Sequence, residues 1–257
     1  MISSTSNSKV KNIVNLRKNA RERRKQKCFL VEGPRMFFEA PSELLREVYV
    51  TEEFEQSYGS RLEGYRYELI SDRVCRYLSD TKTPQGVIAV ADQPVCSLND
   101  ILKSDSSPCL MLLESLQDPG NIGTILRTAE GAGVTGIIMN RDTVDPYNPK
   151  VIRSTMGAVF RIPFLVAEDF PKALRQLRDA GLSIYAAHLN GRIFYNNDYR
   201  TPCAFLIGNE GNGLTKESAD MADCLIRIPM KGNVVSLNAA VASSLIMYEV
   251  QRQRDWS

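Results

Sequence analysis

Apolar segments of strand length alternate with segments of helical periodicity along most of the chain. In the C-terminal part, the strand-like segments are CLMLLES, TGIIMN, SIYAAHL, CAFLIGN and CLIRIPM, and helical segments are predicted near residues 121–133, 169–180 and 236–252. This repetition of strand and helix predicts an α/β domain with a mostly parallel sheet covered on both faces. Ligands of such sheets bind beyond the carboxyl ends of the strands, so the loops there are the first candidates for chemistry.

A shorter α/β series precedes this one. It consists of a predicted helix over residues 8–26, the strand CFLVEG, the helix PRMFFEA and the strands EVYVT, YELIS and GVIAVA. A polar stretch, DQPVCSLNDILKSDSSP, separates the two series. We therefore predict a small N-terminal α/β domain over residues 1–95, a linker over 96–108 and a second α/β domain over 109–257.

The charges are unevenly distributed. The chain carries a net charge of +2, but residues 1–27 hold nine Lys and Arg against one acid, Glu22, and the other 230 residues sum to −6. A basic arm on a mildly acidic body indicates an acidic partner, although a solvated helix face at a frayed terminus would give the same pattern. No segment is long and apolar enough for a membrane span, and the N-terminus lacks the apolar core of a signal peptide, so we expect a cytoplasmic protein.

Cysteine and histidine usage argues against several kinds of site. The six cysteines are scattered without a C-x-x-C pair, so they are expected to be small buried residues rather than disulfides or zinc ligands. The single histidine, His188, lies in an apolar run and is expected to be structural. We predict no metal site and no hydrolase triad.

The first unusual loop follows CLMLLES and reads LQDPGNIGTILRTAEGAGV. Pro119 and Gly120 form a tight turn there, and Asn121 is a candidate N-cap for the helix that follows. At 100° per residue, Arg127 lies about 140° from the apolar position Ile122, so it faces either solvent or a cleft.

Two further loops carry unusual polarity or glycine content. The segment after CAFLI runs from Gly208 to Leu214 as GNEGNGL, whose spacing matches neither the dinucleotide-binding nor the P-loop pattern. Its three glycines would let a ligand approach the backbone, and Glu210 lies among them. The third loop, IPMKGNVVSLN, contains Ser236, a candidate N-cap, and leads into an apolar helix that is either central or packed against another subunit.

Together, these loops resemble the three signature motifs of the SpoU/TrmH family of RNA ribose 2′-O-methyltransferases, within the SPOUT superfamily. DPGNIGTILRTAEGAG resembles the first motif, GNEGNGL the second and IPMKGNVVSLNAAVA the third, and RSTMGAVFRIPF resembles the family's S-x-G-A segment. The resemblance covers residues 109–257. The stretch FLVEGPRMFFEA resembles more loosely the L30-like RNA substrate-binding domain that many members carry.

The resemblance implies an S-adenosylmethionine-dependent enzyme with S-adenosylhomocysteine as product. It also implies a deep trefoil knot in the C-terminal domain and a homodimer formed through that domain. The cofactor-binding positions implied by the motifs are Leu189, Gly208, Asn209, Ile228, Met230 and Leu237. Several of these would act mainly through their backbone, and Leu189 would lie on the adenine side.

The catalytic positions implied by the same motifs are Asn121, Arg127, Glu210, Ser236 and Asn238. A guanidinium is a poor base, so we expect Arg127 to orient the ribose hydroxyl and stabilise the developing alkoxide. Asn121 would hold Arg127 or the ribose, and Glu210 would orient that cluster. Ser236 and Asn238 would place the target nucleotide. The chain departs from the family at Val235, where an acid is common, and at NAAVA, where NVSVA is common.

Three other functions are less consistent with the sequence. Transfer RNA is an alternative substrate, but ribosomal RNA is favoured because the N-terminal domain resembles the L30-like module of ribosomal RNA methyltransferases. A noncatalytic RNA-binding protein would have no reason to keep all five catalytic positions. A dinucleotide-dependent enzyme is disfavoured by the glycine spacing.

Overall fold

The computed structural model describes residues 1–103 and 107–255, which form two compact units. Unit 1 consists of Met1–Val95 and Asp145–Phe160, and unit 2 of Cys96–Val144 and Arg161–Ser257. Each unit is an α/β fold, as the sequence predicted. The domain limits at 95 and 109 stay predictions, and residues 104–106 of the predicted linker lie outside the described residues.

Unit 1 is built on a four-stranded sheet with the order β1-β4-β2-β3. Its strands are β1 (Cys28–Glu32), β2 (Leu45–Val50), β3 (Glu68–Leu69) and β4 (Val87–Asp92). The helices of its N-terminal segment are α1 (Ser8–Lys18), α2 (Ala20–Gln26), α3 (Pro34–Glu39), α4 (Glu52–Tyr58) and α5 (Asp72–Leu78). Strand β4 is antiparallel to both of its neighbours, whereas β2 and β3 are parallel.

The basic N-terminal segment is folded into unit 1. Val10, Ile13 and Leu16 are buried against the sheet, and Ile2 pairs with Ile70 in an isolated bridge. The description of this segment as a basic arm was therefore wrong, because its apolar residues belong to the hydrophobic core. The single helix predicted over 8–26 is also two helices, since extended Asn19 ends α1 and its side chain accepts a hydrogen bond from Arg21 N of α2.

Unit 2 is built on a six-stranded sheet with the order β10-β8-β9-β5-β6-β7, and each pair of neighbours in it is parallel. Its strands are β5 (Cys109–Leu113), β6 (Gly136–Met139), β7 (Phe164–Val166), β8 (Ser183–Ile193), β9 (Cys203–Ile207) and β10 (Cys224–Arg227). Its helices are α6 (Leu98–Leu102), α7 (Pro119–Gly131), α9 (Phe170–Asp179), α10 (Lys216–Asp220) and α11 (Ala239–Asp255). The predicted mostly parallel sheet is confirmed, and β5, β6 and β9 are fully buried strands that form its centre.

One segment of the C-terminal half belongs to unit 1. Helix α8 (Pro149–Thr155) lies within Asp145–Phe160, and the buried Arg23 guanidinium pairs with Asp145 at 2.6 Å. The Tyr147 ring also packs on Phe29, with 4.9 Å between ring centroids. The motif resemblance places this segment with the catalytic domain in sequence, but its packing partners lie in unit 1. None of the described helices is both long and apolar enough to cross a lipid bilayer.

Candidate active site

The three unusual loops meet at the carboxyl ends of β5 and β9, which are neighbours in the sheet of unit 2. The first loop leaves β5 and enters α7, and the second leaves β9 as Gly208 to Leu214. The third follows β10 and enters α11. Parallel strands bring their carboxyl ends to one edge of a sheet, so segments far apart in sequence come together there.

The caps of α7 and α11 differ from those predicted. The N-cap of α7 is Asp118, whose carboxylate accepts hydrogen bonds from Gly120 N (2.6 Å) and Asn121 N (3.1 Å). Helix α11 begins at Ala239, and Asn238 Oδ1 accepts from Ala240 N at 2.9 Å. The predicted caps Asn121 and Ser236 were therefore wrong, because each helix begins beside a different acceptor. Asn121 is instead a buried residue inside the first turns of α7.

Asn121 is the centre of a hydrogen-bonded chain that joins the three loops. Its Nδ2 donates to Glu210 Oε1 (2.9 Å), and its Oδ1 accepts from Asn238 Nδ2 (2.9 Å). The Glu210 carboxylate also accepts from the backbone N–H groups of Gln117 and Asp118, both at 3.1 Å. Three of the five predicted catalytic residues are thus in direct contact.

The environment of Glu210 favours its charged form. Partial burial acts to raise its pKa, but the hydrogen bonds from Asn121 and from the backbone of Gln117 and Asp118 outweigh burial, so the pKa is lowered. A carboxylate that accepts several N–H groups is a fixed anion rather than a proton acceptor near neutral pH. Glu210 is therefore suited to holding Asn121 and the first loop in place.

A cavity of about 610 Å³ opens beside this chain. It is within the roughly 300–1,000 Å³ range of small-molecule sites. All six predicted cofactor-binding residues line it, as do Glu210, Ser236 and Asn238. The six are Leu189, Gly208, Asn209, Ile228, Met230 and Leu237.

Two glycines lie at close backbone crossings, Gly208 in the lining of this cavity and Gly191 against Ile226, which also lines it. A Cβ atom at Gly208 would lie 2.3 Å from the carbonyl carbon of Gly213 and from the nitrogen of Leu214. A Cβ atom at Gly191 would lie 2.5 Å from the backbone of Ile226. Both contacts are too short for any side chain, so these positions require glycine where one backbone segment crosses another.

Residues 187–191 of β8 lie between its two stretches that pair with β10. Strand β10 pairs with β8 at Leu225 and Ala186, but its next residue, Ile226, pairs with Arg192. The bypassed segment carries His188 and Leu189, and both line the cavity. His188 Nδ1 accepts a hydrogen bond from Asn190 N at 3.2 Å, within its own turn.

Arg127 lies apart from the other predicted catalytic residues. It is exposed on α7, six residues after Asn121, and is not among the residues that line the cavity. No hydrogen bond or ion pair joins its guanidinium to any residue within the described ranges. Ser236 is also exposed, although it borders the cavity. Arg127 and Ser236 are therefore available to a molecule outside the protein.

The sequence prediction missed several residues that hold these loops. Ser115, Gln117, Asp118 and Asn140 form hydrogen bonds around the end of β5. Each follows a buried strand by a few residues, and that position was the available signal. No cluster of three or more His, Cys, Asp or Glu side chains suited to a metal ion occurs within residues 1–103 and 107–255.

Two family models match the chain. The SpoU rRNA Methylase family matches residues 108–248, more than half of the sequence, and the MRM3-like substrate binding domain matches residues 7–89. The two matches correspond to the two α/β series recognised in the sequence.

Curated relatives match over most of the chain. The chain is 32% identical over 254 residues to the 23S rRNA (guanosine(2553)-2′-O)-methyltransferase RlmP of Bacillus subtilis, which covers 97% of this chain and 98% of the relative. It is 35% identical over 174 residues to the 23S rRNA (guanosine-2′-O-)-methyltransferase RlmB of Bordetella pertussis, covering 66% of this chain and 71% of the relative.

Solved structures of methyltransferases also match most of the chain. An AdoMet-bound rRNA methyltransferase from Sinorhizobium meliloti superposes with a TM-score of 0.87 and 31% identity, covering 100% of this chain and 98% of that one. The SpoU methyltransferase AviRb from Streptomyces viridochromogenes, in complex with the cofactor AdoMet, superposes with a TM-score of 0.87 and 29% identity. The match covers 96% of this chain and 98% of that one. The loops, the parallel sheet and these matches agree, and the chain belongs to the SpoU rRNA Methylase family.

Proposed function

We propose that this protein transfers a methyl group from S-adenosylmethionine to a ribose 2′-hydroxyl of ribosomal RNA. The observation that carries the proposal is the chain of hydrogen bonds from Asn238 through Asn121 to Glu210, at the edge of a cavity that the three loops form. The same three segments carry the motif resemblance.

The cavity has the chemistry that S-adenosylmethionine requires. Its lining combines apolar groups, such as Leu189, Ile228 and Leu237, with the backbone of residues 208–214, the glycine loop. The close backbone contact at Gly208 leaves no room for a side chain and exposes peptide groups to a ligand. When bound, the cofactor supplies an electrophilic methyl group on a sulfonium.

The protein's part in the reaction is positioning and charge stabilisation. In the in-line displacement, the ribose oxygen forms a bond to the methyl carbon, the carbon–sulfur bond breaks, and the hydroxyl proton leaves to solvent or a phosphate. Arg127 orients the hydroxyl and stabilises the developing alkoxide, since a guanidinium does not accept protons at neutral pH. Asn121 and the ionised Glu210 hold the first loop, and Ser236 and Asn238 place the nucleotide.

The substrate assignment can be tested with the purified protein. Incubation with methyl-labelled S-adenosylmethionine and either ribosomal or transfer RNA should place label in ribosomal RNA. The labelled nucleotide should resist alkaline hydrolysis at its 3′ phosphodiester, because methylation removes the attacking hydroxyl. Label in transfer RNA alone would contradict the substrate, and cofactor binding without labelling of either RNA would favour the noncatalytic alternative.

The basic surface of the first two helices is proposed to contact RNA phosphates. Of the nine basic residues in 1–27, three have structural partners in the described part of the chain: Lys9 pairs with Glu68, Arg17 donates to the carbonyls at the end of α5, and Arg23 pairs with Asp145. The other six are exposed, namely Lys11, Lys18, Arg21, Arg24, Lys25 and Lys27. Their charges add sequence-independent affinity.

Removing two of these charges should weaken RNA binding in a salt-dependent way. For the double substitution Arg24→Gln and Lys25→Gln, the slope of log affinity against log salt should fall by about one to two. The matched control is Lys172→Gln with Arg175→Gln, the same pair of residue types exposed on α9. Filter binding at several salt concentrations measures both, and equal slopes for the two variants would contradict the proposal. Deleting residues 1–27 would be a poor test, because the deletion removes core residues.

A homodimer through unit 2 is also part of the proposal. Val241, Leu245 and Tyr248 are exposed by 48%, 42% and 51% on α11, at spacings of four and three residues that put them on one face. An exposed apolar stripe on a helix is typical of a surface that another subunit covers.

Placing a charge in this stripe should separate the subunits. A two-fold interface receives two carboxylates from one substitution, so Leu245→Glu should raise the dimer dissociation constant by at least about tenfold. Val166→Glu is the matched control, since Val166 is also 42% exposed and lies on β7, at the opposite edge of the sheet from β10. Analytical ultracentrifugation distinguishes the two, and an unchanged dimer with Leu245→Glu would place the interface elsewhere.

Two further expectations stay proposals. The trefoil knot is supported by the parallel sheet and by the close crossing of residue 191 with β10. A cytoplasmic location is supported by the proposed ribosomal RNA substrate.

A further inference from the structure

Ser115 adopts an unusual backbone conformation directly beside the proposed site. Its φ angle is 57°, in the left-handed region, and it follows β5 after one intervening residue. Non-glycine residues rarely adopt this conformation, and it persists only where surrounding contacts hold it. The group that holds Ser115 therefore controls the path of the loop.

The side chain of Asn140 provides those contacts. Asn140 follows β6 directly, and its Oδ1 accepts from Ser115 N at 2.8 Å while its Nδ2 donates to Ser115 Oγ at 2.9 Å. Oδ1 also accepts from Thr143 N (3.1 Å) and Thr143 Oγ1 (2.8 Å), which further restrains the amide. Asn140 thus holds both the backbone and the hydroxyl of Ser115.

Ser115 in turn is bonded to the loop that carries Glu210. Its carbonyl accepts from Asn209 Nδ2 at 2.7 Å, and Asn209 Oδ1 accepts from Gly211 N and Asn212 N, both at 3.0 Å. The same carbonyl accepts from Gln117 Nε2 at 3.1 Å. The backbone N–H of Gln117 donates to Glu210. Two hydrogen-bonded routes therefore run from Ser115 to the glycine loop.

We propose that Asn140 is a positioning residue for this loop: by holding Ser115 in the left-handed conformation, it fixes Asn209 against the cofactor and Glu210 against Asn121. Asn140 lies outside the three motif loops and does not line the cavity. Its effect on the glycine loop is transmitted by Ser115. The inference rests on the proposed methyltransferase function, but it also predicts changes in cofactor binding and loop protection that do not depend on activity.

Replacing Asn140 with alanine should affect both properties of the loop. In Asn140→Ala we expect the dissociation constant for S-adenosylmethionine to rise about tenfold and kcat to fall about tenfold. Small displacements of the groups that position the reactants lower both binding and rate. Amide hydrogen exchange over residues 208–214 should become faster in the cofactor-free protein. Calorimetry, labelled-methyl transfer and exchange mass spectrometry measure the three effects.

Two further variants distinguish positioning from a general loss of stability. Asn148→Ala is the matched control: Asn148 is a half-buried loop asparagine that caps α8 through Lys150 N, and its loss should lower thermal stability without changing cofactor affinity or loop exchange. Asn140→Asp should restore most of the affinity, since its two carboxylate oxygens can accept from Ser115 N and from the Ser115 hydroxyl.

The double variant Ser115→Gly with Asn140→Ala tests the route through Ser115. Glycine adopts positive φ readily, so this variant should recover part of the lost affinity. Cofactor affinity and loop exchange in Asn140→Ala equal to those of Asn148→Ala would overturn the proposal. If the unmodified protein methylates no RNA, the proposed function fails, whereas the binding and exchange measurements still decide the role of Asn140.

Discussion

Replacing Arg127 with alanine should lower the rate of methyl transfer by about 10²–10³-fold, the typical cost of removing one group that stabilises developing negative charge. S-Adenosylmethionine affinity should stay within about twofold, because a group used only in the transition state leaves ground-state binding unchanged. The structural reason is that Arg127 is exposed on α7 and does not line the cavity. Its loss removes no contact to the proposed cofactor position.

Two further variants serve as comparisons for Arg127→Ala. Arg127→Lys keeps the charge but loses the planar, five-donor geometry of the guanidinium, so it should recover only part of the rate. Arg175→Ala, at an exposed arginine of α9, should behave as the unmodified protein. Single-turnover transfer and calorimetry separate rate from affinity, and full activity in Arg127→Ala would remove this residue from the mechanism.

Replacing Gly208 with alanine should abolish measurable cofactor binding. Its Cβ would lie 2.3 Å from backbone atoms of residues 213 and 214, which cannot move aside as the end of a flexible side chain could. The loop must open to make room for the alanine side chain, and the backbone groups that line the cavity would move with the loop. We expect a loss of affinity of at least about 10²-fold, since displacements near 1 Å at such a site already have effects of this size.

The other glycines of the loop provide a graded control. Gly211→Ala should be tolerated, because its Cβ would meet only Asn209 Oδ1, at 3.6 Å. Gly213 has a φ of +69° with open space around it, so Gly213→Ala should cost about 1–2 kcal/mol of backbone strain and have an intermediate effect. Equal effects at all three positions, measured by calorimetry, would show that close backbone approach is not what distinguishes Gly208.

Much of the fold could be predicted because its signals are local. The five apolar runs of unit 2 became β5, β6, β8, β9 and β10, since each is a continuous run of residues that favour buried strands. The glycine loop and its acidic residue, Glu210, could also be identified from the sequence. Helices α4 and α5 were missed, although each has a clear N-cap, Thr51 and Ser71, because short helices show little periodicity.

The sequence named candidate residues, but it did not predict which of them are in contact. The sequence grouped Asn121, Glu210 and Asn238 through a motif resemblance, and the structure joins them by two hydrogen bonds between side chains. The sequence indicated nothing about Asn140 or Ser115. Ser115 matters because of its backbone conformation, and Asn140 matters because it binds Ser115, 25 residues away along the chain. Residues of this kind carry no local composition signal.

The sequence by itself determined the class of fold, the three loops and the basic character of the first two helices, because apolar periodicity, glycine content and charge are local properties. Tertiary structure decided which acceptor caps each helix and which unit each segment joins. Asp118 caps α7, so Asn121 is left to bridge Glu210 and Asn238, which lie 89 and 117 residues away along the chain. Residues 145–160 join unit 1 because their charged and aromatic partners are there. The physical reason is the same in both cases: a hydrogen bond or a ring contact requires two groups to meet, and only the folded chain determines which groups meet.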